Sequence, residues 1–122
     1  MKIAGFGFRA TAGIESLRSA LRAAGGIDGV VALATAAEKA EAMPLIALAA
    51  ELHLPIRAIA PAALATIKTP SWSERVEARF GTGSLAEAAA LVAAGPKARL
   101  VATRAVSADG MATAAIAEGI DP

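Results

Sequence analysis

Apolar residues along the chain fall into short blocks whose spacing switches between strand-like and helix-like. Residues 2–8 alternate weakly and end in Gly5-Phe6-Gly7-Phe8, which predicts a buried first strand leading into a loop from Arg9 to Gly13. Ile14, Leu17, Leu21 and Ala24 then recur at helical spacing, with Glu15, Arg18 and Arg22 off that stripe and Gly25-Gly26 as a left-handed stop. Val30 to Ala34 is the continuous apolar run of a strand covered on both faces. Thr35 and Glu38 have capping-box spacing for a turn, and Pro44 fits the first position of a helix running to about His53. Residues 55–60 predict a short third strand with prolines at both ends, and Pro61 begins a further helical turn that Lys68-Thr69-Pro70 closes.

The capping spacing recurs at Ser71 and Glu74, ahead of a short helix to about Phe80. It recurs again at Ser84 and Glu87, ahead of a longer helix to Ala94 that Gly95-Pro96 ends. Arg99 to Val106 and Met111 to Glu118 predict two strands, joined where Asp109-Gly110 signals a hairpin turn. This order implies a single three-layer α/β/α domain over residues 1–122, with a mixed, mostly parallel sheet of about five strands and a C-terminal hairpin. The last few residues are expected to fray.

Composition narrows the function classes. At 122 residues one domain with a real core is the expectation. Twelve basic against eleven acidic residues leave a net charge of +1, and aromatic residues make up 3%, so both the electrostatic footprint and the stacking platforms of a nucleic-acid binder are missing. The longest apolar run, Ala42 to Ala50, is far short of the roughly 20 residues of a membrane span, and no signal-peptide body opens the chain. A soluble cytoplasmic protein is expected, with neither nucleic acid nor membrane as partner. Without cysteine, and with His53 as the lone histidine, no disulfide, thiolate zinc site or histidine metal cluster is available, and neither metal nor cofactor is expected.

Two glycine motifs invite a phosphate reading and fail it. FGTGSLAEAAA, residues 80–90, lacks the lysine that a Walker loop places before its Ser or Thr. Gly5-x-Gly7 has Ala10 where a dinucleotide fingerprint needs a third glycine, and no acid ends the second strand. Two readings of residues 81–84 stay open: Ser84 caps the helix and the glycines serve only the turn, or they let a carboxylate or phosphate approach free N–H groups. Ligands of open α/β sheets gather beyond the carboxyl ends of the strands. There the sequence puts Arg9 and Thr11, Thr35 and Lys39, Lys68, and Arg104. These are either ordinary solvated charges or, if they converge, a site for a ligand with several carboxylates.

Gly5-Phe-Gly-Phe-Arg9, Ala34-Thr-Ala-Ala-Glu-Lys39, Ala49-Ala-Glu-Leu-His-Leu-Pro55, Pro70-Ser71, FGTGSLAEAAAL and Ala112-Thr-Ala-Ala-Ile-Ala117 together resemble the CobE and CbiG C-terminal domain family of cobalamin biosynthesis. The resemblance runs in order from about residue 3 to 118, and the chain is most similar to the stand-alone, CobE-type members. It implies a precorrin or corrinoid ligand, a ring fringed with acetate and propionate groups, with other pathway enzymes such as methyltransferases as further partners. The ligand-facing set it implies is Gly7, Arg9, Thr11, Thr35, Lys39, Ser71, Ser73, Gly81, Thr82, Gly83, Ser84, Glu87 and Thr113, together with Arg104 where relatives often carry lysine. Relatives also place an acid about three residues after Lys39, where this chain has Ala42 beside Glu41.

Some residues carry a structural alternative. His53 satisfies helix-terminal carbonyls or is an axial ligand for cobalt, and Trp72 staples a helix against Val76 or stacks on a flat ring. Glu87 and Glu74 are capping partners or acids. Three functions follow: a carrier or accessory protein for a tetrapyrrole intermediate, a hydrolase assisting ring-A lactone opening with acetaldehyde release through Glu87 or Glu38, and a nucleotide-binding or purely structural module.

Overall fold

In a computed structural model of the chain, residues 1–120 are described; the fraying expected at the end of the chain falls partly on positions outside them. Five strands, β1 (Lys2–Phe8), β2 (Val30–Ala36), β3 (Ile56–Ile59), β4 (Arg99–Val106) and β5 (Ala112–Glu118), form one sheet in the order β3-β2-β1-β5-β4. β1 pairs in parallel with β2, and β2 with β3, whereas β5 runs antiparallel to both β1 and β4. Every strand except β5 therefore points the same way. The expected mixed, mostly parallel sheet is present, with the hairpin strand β5 inserted next to β1 and β4 left at the edge.

Helices α1 (Ile14–Ala23) and α2 (Met43–Leu52) cover one face through Leu17, Leu21, Leu45 and Leu48, packed on Ala4, Phe6 and Ile116. The short α3 (Pro61–Leu64) and α5 (Leu85–Ala94) cover the other through Leu64, Leu85, Ala89 and Ala94, packed on Ile3, Ala34 and Ala117. Because both faces are covered, β1 is buried along its interior, and its alternation separates two cores instead of core from solvent. On the α5 side β1 presents Gly5, where a Cβ would lie 2.0 Å from the Ala86 carbonyl oxygen. The alanine-rich α5 is buried almost all round because its backbone lies directly on that glycine-lined strand.

Helix α4 (Glu74–Phe80) differs: it buries none of its residues and stands at the carboxyl-end edge of the sheet. Two predicted caps are corrected. Thr35 lies inside β2, and its hydroxyl donates to the Phe6 carbonyl at 2.9 Å instead of opening the 3-10 turn Ala37–Lys39. The N-cap of α4 is Ser73, not Ser71, because the Ser71 hydroxyl is engaged elsewhere. Ser84 caps α5 as predicted, its hydroxyl accepting from the Glu87 amide.

Candidate functional site: a cation-lined cleft

A cleft of ≈ 550 Å³ opens beyond the carboxyl ends of β1 and β4, where the antiparallel β5 begins. Its walls carry Arg9, Lys39, Arg75, Arg79 and Arg104, and among the described residues no aspartate, glutamate, histidine or cysteine lines it. Phe8, Val76, Phe80, Leu85 and Met111 supply apolar surface between the charges, and Ser73 and Thr113 add hydroxyls. Among the described residues no carboxylate pairs with Arg9, Arg75 or Arg104, while Arg79 meets Glu38 at 3.1 Å.

Lys39 reaches the cleft from the turn after β2. Its Nζ donates to the Phe8 carbonyl at 2.7 Å and lies 4.7 Å from the centre of the Phe8 ring. Burial first, then repulsion from Arg79, push the Lys39 ammonium below the usual lysine range; Glu38 pulls the other way and Arg75 adds a smaller push. An anion entering the cleft would relieve that repulsion. Arg104 comes from β4 at an irregular point of its pairing with β5, between Ala102 and Ala105, where the ladder releases the Arg104 amide.

Of the residues named from the sequence, Gly7, Arg9, Thr11, Lys39, Ser73, Arg104 and Thr113 line the cleft. The others do not reach it. Thr35 is wholly buried, and Thr82 donates to the Ile67 carbonyl at 3.1 Å. Gly81 ends α4 in the left-handed conformation at φ 72°, which glycine adopts without strain. A Cβ at Gly83 would meet the Trp72 ring at 2.7 Å and the Ser71 carbonyl at 2.8 Å, so this glycine is there for close packing. Ser84 is an inward cap, and Ser71 donates from both its amide and its hydroxyl to Glu87. The stretch 81–84 is thus a packed turn that carries the chain into α5.

Lys68 lies in a separate groove beside α3 and α5. Trp72 is 60% exposed with its edge toward Gly83, outside the cleft lining. His53 caps α2 in the left-handed conformation, ahead of β3 and so at the opposite end of the sheet. The sequence reading missed Arg75, Arg79, Val76 and Phe80. Their signal was present: two arginines and two apolar residues, each pair four apart and adjacent to the other, make one wall-like helix face. The face is only half-buried, with Val76 and Phe80 packed on the rim of the second core and the arginines exposed, so its apolar pair alone is too short a stripe to mark it.

The fold and the cleft together define the class, a three-layer α/β protein with a cation-lined cleft beyond the carboxyl ends of its strands. The chain belongs to the family described as cobalamin synthesis G C-terminus, whose model matches residues 2–117, as the resemblance in the sequence implied. It is similar to the crystal structure of CobE, a protein from the cobalamin (vitamin B12) biosynthetic pathway, at 31% identity and TM-score 0.87, covering 98% of this chain and 91% of that one. It is also similar to the cobalamin biosynthesis protein chiG from Agrobacterium tumefaciens, at 36% identity and TM-score 0.73, covering 99% and 100% of the two chains. A cobalamin biosynthesis protein G homolog from Sulfolobus solfataricus shares the fold at 16% identity and TM-score 0.68, over 95% of this chain and 36% of its own. A search of curated proteins found no match. No helix among the described residues is long and apolar enough to cross a membrane.

Proposed function

We propose that the protein binds a precorrin or corrinoid intermediate of cobalamin biosynthesis in this cleft and acts as its carrier or accessory factor, presenting it to a pathway enzyme such as a methyltransferase. One observation carries the reading: Arg9, Lys39, Arg104 and the α4 pair Arg75 and Arg79 converge from four segments on a cleft that no acid among the described residues lines. Guanidinium and ammonium groups spread over several walls match a ring whose rim carries several carboxylates, and the apolar surface between them matches its face. The volume falls within the range of roughly 300–1,000 Å³ typical of small-molecule sites.

The hydrolase alternative needs a general base within reach of its substrate. Its two candidates are otherwise engaged, Glu87 buried behind the cleft and Glu38 paired with Arg79. The support therefore favours binding without turnover.

Titration with hydrogenobyrinic acid, followed by calorimetry and by mass analysis of the recovered ligand, tests the proposal. Saturable binding with the ligand unchanged is expected, and Arg9→Ala or Lys39→Ala should weaken it about tenfold each, the scale of one lost charge-assisted hydrogen bond. A changed ligand mass would make the protein an enzyme. No binding, or binding indifferent to both substitutions, would remove the cleft as the site.

A further inference from the structure

Glu87 is the largest fully buried polar side chain among the described residues, and it does not line the cleft. It sits in the first turn of α5 with no exposed surface. In a capping box this carboxylate would turn back to the N-cap amide. Here it reaches out of its helix instead. Oε1 accepts the Ser71 amide at 3.0 Å, and Oε2 accepts the Ser71 hydroxyl at 2.8 Å and the Arg104 amide at 2.7 Å.

Those donors stand on two separate segments that both contribute residues to the cleft. Ser71 begins the arm that carries Ser73, Arg75, Val76, Arg79 and Phe80, and Arg104 stands at the irregularity of β4. No residue of α4 is fully buried; besides Glu87, the arm is held by the Ser73 amide on the Gly83 carbonyl at 2.7 Å, by the Arg79–Glu38 pair and by half-buried Val76 and Phe80 on the core rim. The Arg104 amide, released from the β ladder, would otherwise be a partly buried donor in need of a partner. A buried carboxylate is costly to desolvate unless every lone pair is used. One that bonds two separate segments, and neither its own N-cap nor the solvent, fixes the distance between them.

We propose that Glu87 is a positioning residue: it clamps the α4 arm to the irregular point of β4 and so sets the spacing between Arg75 and Arg79 on one segment and Arg104 on the other. The inference rests on the polycarboxylate reading of the cleft, because that spacing decides which pairs of ligand carboxylates are held together.

Two measurements on Glu87→Gln and wild type test it. In Glu87→Gln an amide NH₂ faces donor groups, so part of the clamp opens without loss of side-chain volume. Hydrogen exchange on the free protein should accelerate about tenfold or more at Ser71, at Arg104 and through residues 72–80, with β1 and β2 as protected as in wild type. Affinity for hydrogenobyrinic acid should fall about tenfold, and Arg104→Ala should cost clearly less in the Glu87→Gln background than in wild type, because the guanidinium is already misplaced. If Glu87→Gln does not fold, Ser71→Ala removes one of the three bonds and should show the same pattern, with affinity reduced about threefold. Exchange that accelerates equally in β1 and α5 overturns the inference and leaves Glu87 a packing residue. So does an arm that loosens while affinity and the Arg104 coupling stay at wild-type values. If wild type does not bind hydrogenobyrinic acid, the ligand reading falls, and the exchange pattern alone then decides whether Glu87 is a clamp.

Discussion

Gly5 shows how much of this fold depends on absent atoms. A Cβ there would stand 2.0 Å from the Ala86 carbonyl oxygen and 2.7 Å from the Ala90 amide, both backbone atoms of α5 that no rotamer change can move. The close approach of α5 is what brings Leu85 and the start of the helix to the floor of the cleft. Gly5→Ala should therefore destabilise the protein by about 1–3 kcal/mol, the usual cost of overpacking a filled core. Urea unfolding monitored by circular dichroism checks this. An unchanged midpoint would mean that α5 stands farther from β1 than described.

Between elements, the β4–β5 hairpin is pinned to α1 by a second carboxylate. Asp109 accepts the Ser16 hydroxyl at 2.6 Å, the Ser107 hydroxyl at 2.6 Å and the Met111 amide at 3.0 Å, while the Ala108 amide donates to the Ser19 hydroxyl at 2.9 Å. The turn so fixed presents Gly110 and Met111 to the cleft. Hydrogen bonds from Ser107, then Ser16, then the Met111 amide hold the Asp109 carboxyl below the usual aspartate range. A carboxyl with a depressed folded value adds stability above its unfolded value of about 4, and that stability is lost as pH falls through the folded value. Asp109→Asn should thus lower the thermal midpoint at about pH 7, and the gap to wild type should close as the pH drops below about 4. A gap of constant size down to about pH 3 would assign the effect to hydrogen-bond geometry instead of charge.

Over the whole molecule the charge is nearly balanced, at +1, yet the cleft gathers arginines and a lysine while no acid among the described residues lines it. On the proposed function, attraction of an anionic ring would therefore be local and not a property of the protein's overall field. Affinity for hydrogenobyrinic acid should fall several-fold between about 0.02 and 0.3 M salt, as the Debye length shrinks from roughly 20 to 6 Å. A fully amidated corrin should bind more weakly and with little salt dependence. Equal salt slopes for the two would show that the ring face, and not the carboxylate rim, supplies the contacts.

The alternation in residues 2–8, the stripe of Ile14, Leu17 and Leu21, the Asp109-Gly110 turn and the Ser84 cap were all legible because each records interactions within a few residues of chain. So was the placement of Arg9, Lys39 and Arg104 at strand ends, since in an open α/β sheet those ends share one edge. The position of β5 between β1 and β4 was not legible, because pairing partners more than 100 residues apart leave no mark on local spacing. Nor were the roles of Thr35 and Glu87. Both have capping spacing in the sequence, and both are drawn away by donors or acceptors that only folding delivers, the Phe6 carbonyl for one and the Ser71 and Arg104 amides for the other. The sequence by itself determined the elements, their order and the placement of Arg9, Lys39 and Arg104 at the sheet's edge. The tertiary structure decided which of those charges face one another and which buried carboxylate holds them there, because a buried polar group takes the best partner in space and not the nearest in sequence.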